Sequence, residues 1–424
     1  MRSFPLTGFD TFLLALEKQY NEKAISGNIC HYVLDIEGNL DPEETLQKIR
    51  SNPYFQVLSR FQHEKAQALH IPKWHYSEGA LSIPVALIES SSLIPEEVKN
   101  HELSRGQQFL ACHLIRRVED RWSLILSWNH LLMDGYGATL FLKQLFDENV
   151  TFDENLLLNY EKPKYNLRTF WRATKSKFFI DYSSRPILTM ISPKHLARDS
   201  KERCVILSFD EEETKSIDQS ALHNGARFGR SAYYLACCTR AVADVLDKRK
   251  SVINNFWIPV PRDNRKKGAT GPIIGNRLSF LFYRLKKEAM ISLKSCVASI
   301  NEQMMDQIRH KSHLSYNHLM DFMKWLPLGL YYYLVKRRGG NSIASFLFTV
   351  AADHPKELDQ LFGHPITNAI SLPANAYPPG LTFAFMRFHG SLKLMILYHT
   401  QALSDEEFQG LEAQLKRELV KGDG

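Results

Sequence analysis

Residues His130-Leu131-Leu132-Met133-Asp134-Gly135 follow closely on the run 122–128 (WSLILSW), whose alternation predicts a strand. A histidine at the end of a strand, just before a turn, can be held rigidly over a cleft and act there as a general base. Asp134, four residues on, is placed to fix the loop rather than to touch substrate. Gly135 permits a backbone shape that a side chain forbids. With 16 histidines in the chain, average Asp and Gly usage predicts about 0.04–0.08 accidental matches to this pattern. Two plainer readings stand beside the catalytic one. In the first, His130 is a core histidine ahead of an ordinary Asp-Gly turn. In the second, His130 and Asp134 share a helix face and hold a metal ion. Gly135 and Gly137 argue against a helix there and no third ligand is near, so no metal is expected.

No other residues offer competing chemistry. There is no Gly-x-Ser-x-Gly sequence and no cysteine in a recognisable catalytic context. The six cysteines (30, 112, 204, 237, 238 and 296) lack Cys-x-x-Cys spacing, which predicts a reducing compartment and no disulfide framework. Cys237 and Cys238 fall on a predicted helix, packed or half exposed. His354, His364 and His389 have no metal spacing and receive no role. Tyr331, Tyr332, Tyr333, Phe383 and Phe385 either line a tunnel or, the favoured reading, belong to the core.

The elements that must position His130 follow from periodicity. Residues 28–36 read as a strand, 43–50 as a helix, 108–115 as a strand whose hairpin partner is 122–128, and 137–146 as a helix. From 151 to 199 the pattern blurs around Pro163, Pro186 and Pro193, with Lys162, Lys164, Arg168 and Arg172 nearby, and one helix at 167–179. The grammar then repeats. Strands are predicted at 204–209, 252–259, 278–285, 346–351, 381–387 and 392–398. Helices are predicted at 211–223 (stopped by Asn224-Gly225), 230–249, 291–309 and 405–419. The division expected is a first lobe at 1–170, a crossover linker at 171–203 and a second lobe at 204–424.

Composition limits the function classes. A chain of 424 residues can hold two full cores, and 44% hydrophobic with 23% charged residues is ordinary globular content. The net charge of +7, spread without long basic blocks, argues against nucleic acid as a partner. No run of eighteen apolar residues occurs, so no transmembrane helix is expected. Residues 1–5 are not followed by an apolar h-region, so no signal peptide is expected and a cytoplasmic location is. The apolar, aromatic segment 325–335 ends in Lys336, Arg337 and Arg338. Packing against the protein's own core is favoured there over contact with a membrane interface.

The His-x-x-x-Asp-Gly motif resembles the active-site signature of the chloramphenicol acetyltransferase-like superfamily. That group includes plant BAHD acyltransferases, condensation domains of nonribosomal peptide synthetases, and wax ester synthase/diacylglycerol acyltransferases. Pro5-Leu6-Thr7-Gly8-Phe9-Asp10, continued by Phe12 to Glu17, is similar to the opening segment of the wax ester synthase branch. Asp134-Gly135-Tyr136-Gly137, then Leu140-Phe141-Leu142, resembles the aromatic residue and helix after the motif in condensation domains. Ile258-Pro259-Val260-Pro261, a basic stretch and Gly275-Asn276 resemble a segment of the second half. The sequence departs from these relatives in three places. Asn129 stands where condensation domains and wax ester synthases carry a first histidine. Ser231-Ala232 stands where the wax ester branch has Asn-Asp. The Asp-Phe-Gly-Trp-Gly signature of BAHD enzymes is missing.

The resemblance implies an α+β fold of two chloramphenicol acetyltransferase-like lobes, a pseudo-dimer with mixed sheets, helices packed on them and a channel between. It implies His130 as general base, with Gly135 allowing close approach of substrate and its amide helping to hold the oxyanion. Asp134 is then expected to turn away from the cleft and pair with an arginine of the second lobe, Arg265 first and Arg262 second. A solvated basic loop with Asp263, Lys266 and Lys267 is the alternative for both arginines. Asn129 is expected to orient the loop through its amide.

The activity implied is transfer of an acyl group from acyl-CoA or a carrier-protein thioester to a small hydroxyl or amine acceptor, without an acyl-enzyme. No tightly bound cofactor is expected; acyl-CoA or an acyl-pantetheine carrier is the co-substrate. The mildly basic charge suits a pantetheine phosphate, a nucleotide tail or an acidic acyl carrier protein. Two alternatives remain: a stand-alone condensation-type enzyme acting on carrier-bound substrates, and a catalytically idle scaffold of the same fold.

Overall fold

The computed structural model describes all residues except 1–2, 23–26, 68, 78–83, 100–102, 104–107, 119–120, 159–162, 186–188, 193–200, 267, 338–341 and 423–424. Lys162, Pro186, Pro193, Lys267 and Arg338 therefore lie outside the described residues.

The strand that delivers His130, Trp122–Asn129, sits inside a six-stranded mixed sheet. The order across it is Gln360–Leu361, His364–Leu372, Ile29–Ile36, Trp122–Asn129, Leu110–Arg116 and Val85–Glu89. Ile29 faces Asn129 on one side, and Arg116 faces Trp122 on the other. Every residue of Trp122–Asn129 is buried, so both faces of this strand are covered. Its serines are satisfied locally. Ser123 donates to Asp35 Oδ1 at 2.6 Å, and Ser127 Oγ pairs with His31 Nδ1 at 2.8 Å. Helix Gly135–Phe146 then packs back on the core with Ala138, Leu140, Phe141, Leu142 and Leu145 buried.

The second sheet runs Leu347–Val350, Leu381–Phe388, Ser391–His399, Glu202–Phe209. Its first pair is parallel and the others antiparallel. Helices Glu211–His223 and Asp405–Lys421 pack together beside it, and Asp405–Lys421 also meets Ser231–Lys248. Cys237 and Cys238 are wholly buried in that core rather than half exposed. A separate hairpin, Asn255–Asp263 with Leu278–Lys286, reaches from the second core toward the first. Helices Leu293–Arg309 and Ser312–Met323 pack on it. Gln307 clips this edge by accepting from the Phe282 amide at 2.9 Å and donating to the Phe282 carbonyl at 2.8 Å.

Two large hydrophobic cores result among the described residues, one at the six-stranded and one at the four-stranded sheet. They do not divide the chain cleanly. Strand His364–Leu372 pairs with Ile29–Ile36, and Ile273, Ile274 and Ile370 lie in the first core. The boundary expected after residue 170 falls inside helix Leu167–Ser183. The helix expected at 137–146 starts two residues earlier, at Gly135, with Asp134 as its N-cap. Gly135 and Gly137 thus open a helix and do not prevent one. His130 and Asp134 share no helix face, because His130 lies in the turn ahead of the cap.

Candidate active site

His130 occupies the turn between strand Trp122–Asn129 and helix Gly135–Phe146. Its main chain is tied on both sides. The His130 amide donates to the Asn28 carbonyl at 2.6 Å, and the His130 carbonyl accepts from Asn276 Nδ2 at 2.9 Å. The same Asn276 nitrogen donates to Asp10 Oδ1 at 2.9 Å. Asp10 is buried, and that burial pushes its carboxyl above the usual carboxylate range. Its other oxygen accepts from the Thr7 amide at 2.8 Å. The opening segment, the histidine motif and Gly275-Asn276 therefore meet at one point.

Asp134 turns away from the cavity and gathers donors. Oδ1 accepts from the Gly137 amide at 2.8 Å, closing the N-terminus of its helix. Oδ2 accepts from the Arg277 amide at 2.8 Å and from Arg265 Nη1 at 2.8 Å. Both side chains are buried, 4% exposed for Arg265 and 1% for Asp134. Arg265 Nη2 also donates to the Pro272 carbonyl at 3.3 Å, and its guanidinium lies 5.3 Å from the centre of the Tyr136 ring. The Tyr136 hydroxyl donates to the Ala269 carbonyl at 3.0 Å. A parallel bridge between Met133 and Gly275 runs alongside, with the Gly275 amide on the Leu132 carbonyl at 2.7 Å. Arg265, not Arg262, reaches Asp134. Arg262 sits opposite Ser279 in the hairpin, where its charge acts on Tyr283 and His313.

Asn129 is fully buried behind the histidine. Its Oδ1 accepts from the Leu131 amide at 2.9 Å and so holds the turn, as an orienting amide would. Its Nδ2 donates to Glu17 Oε1 at 3.1 Å. Burial pushes the Glu17 carboxyl up to about 7, with the Asn129 hydrogen bond opposing the shift. Nothing in the spacing of Glu17 predicts this pairing, because Asn129 lies 112 residues away in the chain.

The two glycines of the motif differ. A Cβ on Gly135 would meet no atom within 4 Å, and Gly135 has no left-handed φ, so open space and not backbone shape explains it. A Cβ on Gly137 would lie 2.4 Å from the Ile273 carbonyl oxygen, a close approach between the two halves.

His130, Gly135, Tyr136 and Thr139 face a cavity of about 390 Å³ between the two halves. Helix Gly8–Glu22 contributes Phe9, Phe12, Leu13 and Leu16 to its wall. The hairpin adds Trp257, Leu278, Phe280 and Phe282, and helix Ser312–Met323 adds Tyr316, Leu319 and Met320. The wall is predominantly apolar, with His130, Asn28 and Asp263 among its few polar groups. Tyr331 also lines it, whereas Tyr332 is core, Tyr333 is exposed, and Phe383 and Phe385 are buried under the second sheet. His130 Nδ1 is buried without a hydrogen-bond partner among the described residues.

No protein-family model matches the sequence, and no curated protein matches it significantly. Solved structures do match in shape. The TRI3 trichothecene 15-O-acetyltransferase of Fusarium sporotrichioides superposes with a TM-score of 0.75 at 13% identity, over 99% of this chain and 94% of that one. The condensation domain of the monacolin K polyketide synthase MokA gives 0.67 at 12% identity, over 100% and 98% of the two chains. The first condensation domain of the calcium-dependent antibiotic synthetase gives 0.68 at 15% identity, over 100% and 97%. The chain has the two-lobed, chloramphenicol acetyltransferase-like fold that these structures share.

Proposed function

From that fold, we propose that the protein is an acyltransferase in which His130 is the general base. The observation that carries this is the position of His130: an imidazole on a doubly anchored turn, facing a mostly apolar cavity between two lobes. With Nδ1 buried, Nε2 is the nitrogen assigned to the acceptor. The acceptor O–H or N–H gives its proton to Nε2 as its heteroatom attacks the thioester carbonyl. The tetrahedral intermediate collapses, the C–S bond breaks, and the leaving sulfur takes that proton from the imidazolium. The first-turn amide of Gly135, at a helix N-terminus on the cavity wall, is the donor proposed for the oxyanion. No side chain needs to become acylated.

The donor is proposed to be acyl-CoA or a carrier-bound acyl pantetheine, and the acceptor a small alcohol or amine. One structural neighbour is by name a 15-O-acetyltransferase, which favours oxygen as the acceptor atom. The condensation-domain neighbours support the second reading, a stand-alone enzyme acting on carrier-bound substrates. Thiol release from acyl-CoA in the presence of a hydroxyl acceptor tests the first reading. His130→Ala should lower that rate by about 10²–10⁴-fold. Release that is unchanged in the variant overturns His130 as the base for transfer from acyl-CoA, and the scaffold reading then stands if a carrier-bound donor is not turned over either. Turnover with an acyl carrier protein but not with acyl-CoA selects the condensation type.

A further inference from the structure

Helix Leu167–Ser183 is amphipathic in the inverted sense. The face it turns to the protein carries Thr169, Ala173, Ser176 and Ile180. The face it turns to solvent carries Leu167, Phe170, Trp171, Phe178 and Tyr182, from 50% exposed at Phe170 to 78% at Tyr182. At 100° per residue these five side chains form one stripe along a helix of 17 residues, about 25 Å long. Cations flank the stripe. Lys164, Arg168, Arg172, Lys175 and Arg185 are all exposed, and Asp181 is the one acidic residue between positions 164 and 185.

The apolar surface continues onto its neighbours. Phe170 meets Phe322 edge-on at 5.8 Å, Tyr165 meets Phe322 at 5.3 Å, and the Trp325 indole bonds to the Tyr165 hydroxyl. Leu330 and Tyr333 are exposed on helix Leu328–Val335. The residue pair Arg337–Asp181, 3.0 Å apart, fastens the end of that helix to Leu167–Ser183. Inner residues of these same helices, Lys177, Ile180, Tyr331 and Leu334, line the cavity that contains His130.

We propose that this face, centred on Leu167–Ser183, docks on an anionic lipid surface. An aromatic stripe edged by arginine and lysine matches the acyl and headgroup layers of such a surface in both polarity and charge. The helices that would lie on the lipid are also walls of the cavity, so an apolar substrate could pass from bilayer to site along a short route.

The test uses the full chain and co-sedimentation with phosphatidylcholine vesicles, with and without phosphatidylglycerol. The protein should sediment with the anionic vesicles and much less with the neutral ones. Trp171→Ser/Phe178→Ser should weaken that binding by about tenfold or more, and Arg168→Ser/Arg172→Ser/Lys175→Ser should remove its dependence on phosphatidylglycerol. These side chains are exposed, so circular dichroism should show both variants folded. Failure of the wild-type chain to sediment, or equal sedimentation of wild type and variants, overturns the proposal. So does self-association in light scattering that the Trp171→Ser/Phe178→Ser variant loses while vesicles are ignored; the stripe then covers a second copy. Binding is read without any activity, so its failure leaves the acyl-transfer reading intact.

Discussion

Asp134 shows what a residue four positions from the histidine contributes without touching substrate. Its carboxylate unites a helix cap, the Arg277 amide and Arg265, and so binds the histidine loop to the second half of the chain. Removing one member of a buried ion pair costs about 3–5 kcal/mol where the other charge is stranded; Arg265 keeps Asp263 Oδ1 at 3.3 Å when Asp134 is lost, so the lower end applies there. Asp134→Ala and Arg265→Ala should each lower the unfolding free energy by about 3 kcal/mol, read from urea denaturation. The double variant should lose much less than the sum of the two, because neither charge is then left unpaired. Additive losses in a double-mutant cycle contradict the pairing. Arg265 was legible in the sequence as one of two arginines after Pro259-Val260; which of them reached Asp134 depended on the path of the loop. Glu17 was not legible, because its partner Asn129 lies 112 residues away. Its carboxyl, held near 7 by burial, keeps its proton in the folded state at pH values where the unfolded chain, near 4.5, has lost it. Stability therefore falls as pH rises from about 4.5 through about 7, by an amount on the order of 3 kcal/mol when complete. Glu17→Gln retains the acceptor for Asn129 and should flatten that slope, so that urea midpoints of variant and wild type diverge at pH 8 and converge at pH 4. Parallel midpoints across this range rule out Glu17 as the titrating group.

Among elements, the helix Gly135–Phe146 joins motif to core, and its two glycines separate substrate space from packing space. Gly137→Ala would drive a methyl into the Ile273 carbonyl, so helix or loop must move. A stability loss of about 1–3 kcal/mol is expected, with a fall in activity as the Asp134 and Arg265 geometry loosens. Gly135→Ala meets no protein atom, and its methyl enters the cavity. Thermal unfolding of that variant should match or exceed wild type, while kcat/KM drops. Equal loss of stability in both variants would refute the distinction. The sequence could not separate these roles, since both glycines lie at the start of the predicted helix 137–146 and only the position of Ile273 distinguishes them. Strands with clean alternation were read well: 381–387 and 392–398 match Leu381–Phe388 and Ser391–His399 within a residue at each end. His364–Leu372 was missed. Pro365 and the bulge between Ile366 and Asn368 break its period of two. Helices Ser312–Met323 and Leu328–Val335 were missed for another reason. Their apolar residues face both a core and a cavity, which blurs a single 3.6-residue stripe.

For the whole molecule, sequence order and spatial grouping part company at the first sheet. Strand His364–Leu372 supplies the backbone partners of Ile29–Ile36, the strand beside the one that bears His130. Without it, the N–H and C=O groups along one side of Ile29–Ile36 are left unpaired, and without the second half Tyr32 also loses the His354 ring that its hydroxyl meets at 2.9 Å. Asn276 and Arg265, which hold the histidine turn and its aspartate, come from the second half as well. A fragment of residues 1–203 should therefore fail to reach a cooperative fold. Expressed separately, it is expected to aggregate or to lack near-ultraviolet dichroism, and co-expression with 204–424 should restore a soluble pair with one shared thermal transition. A fragment that melts cooperatively by itself, near the temperature of the intact chain, would show that the borrowed strand adds little to the first core. The histidine turn would then have to be held by the first half, and the Asp10–Asn276–His130 chain of contacts would be a consequence of assembly, not its cause.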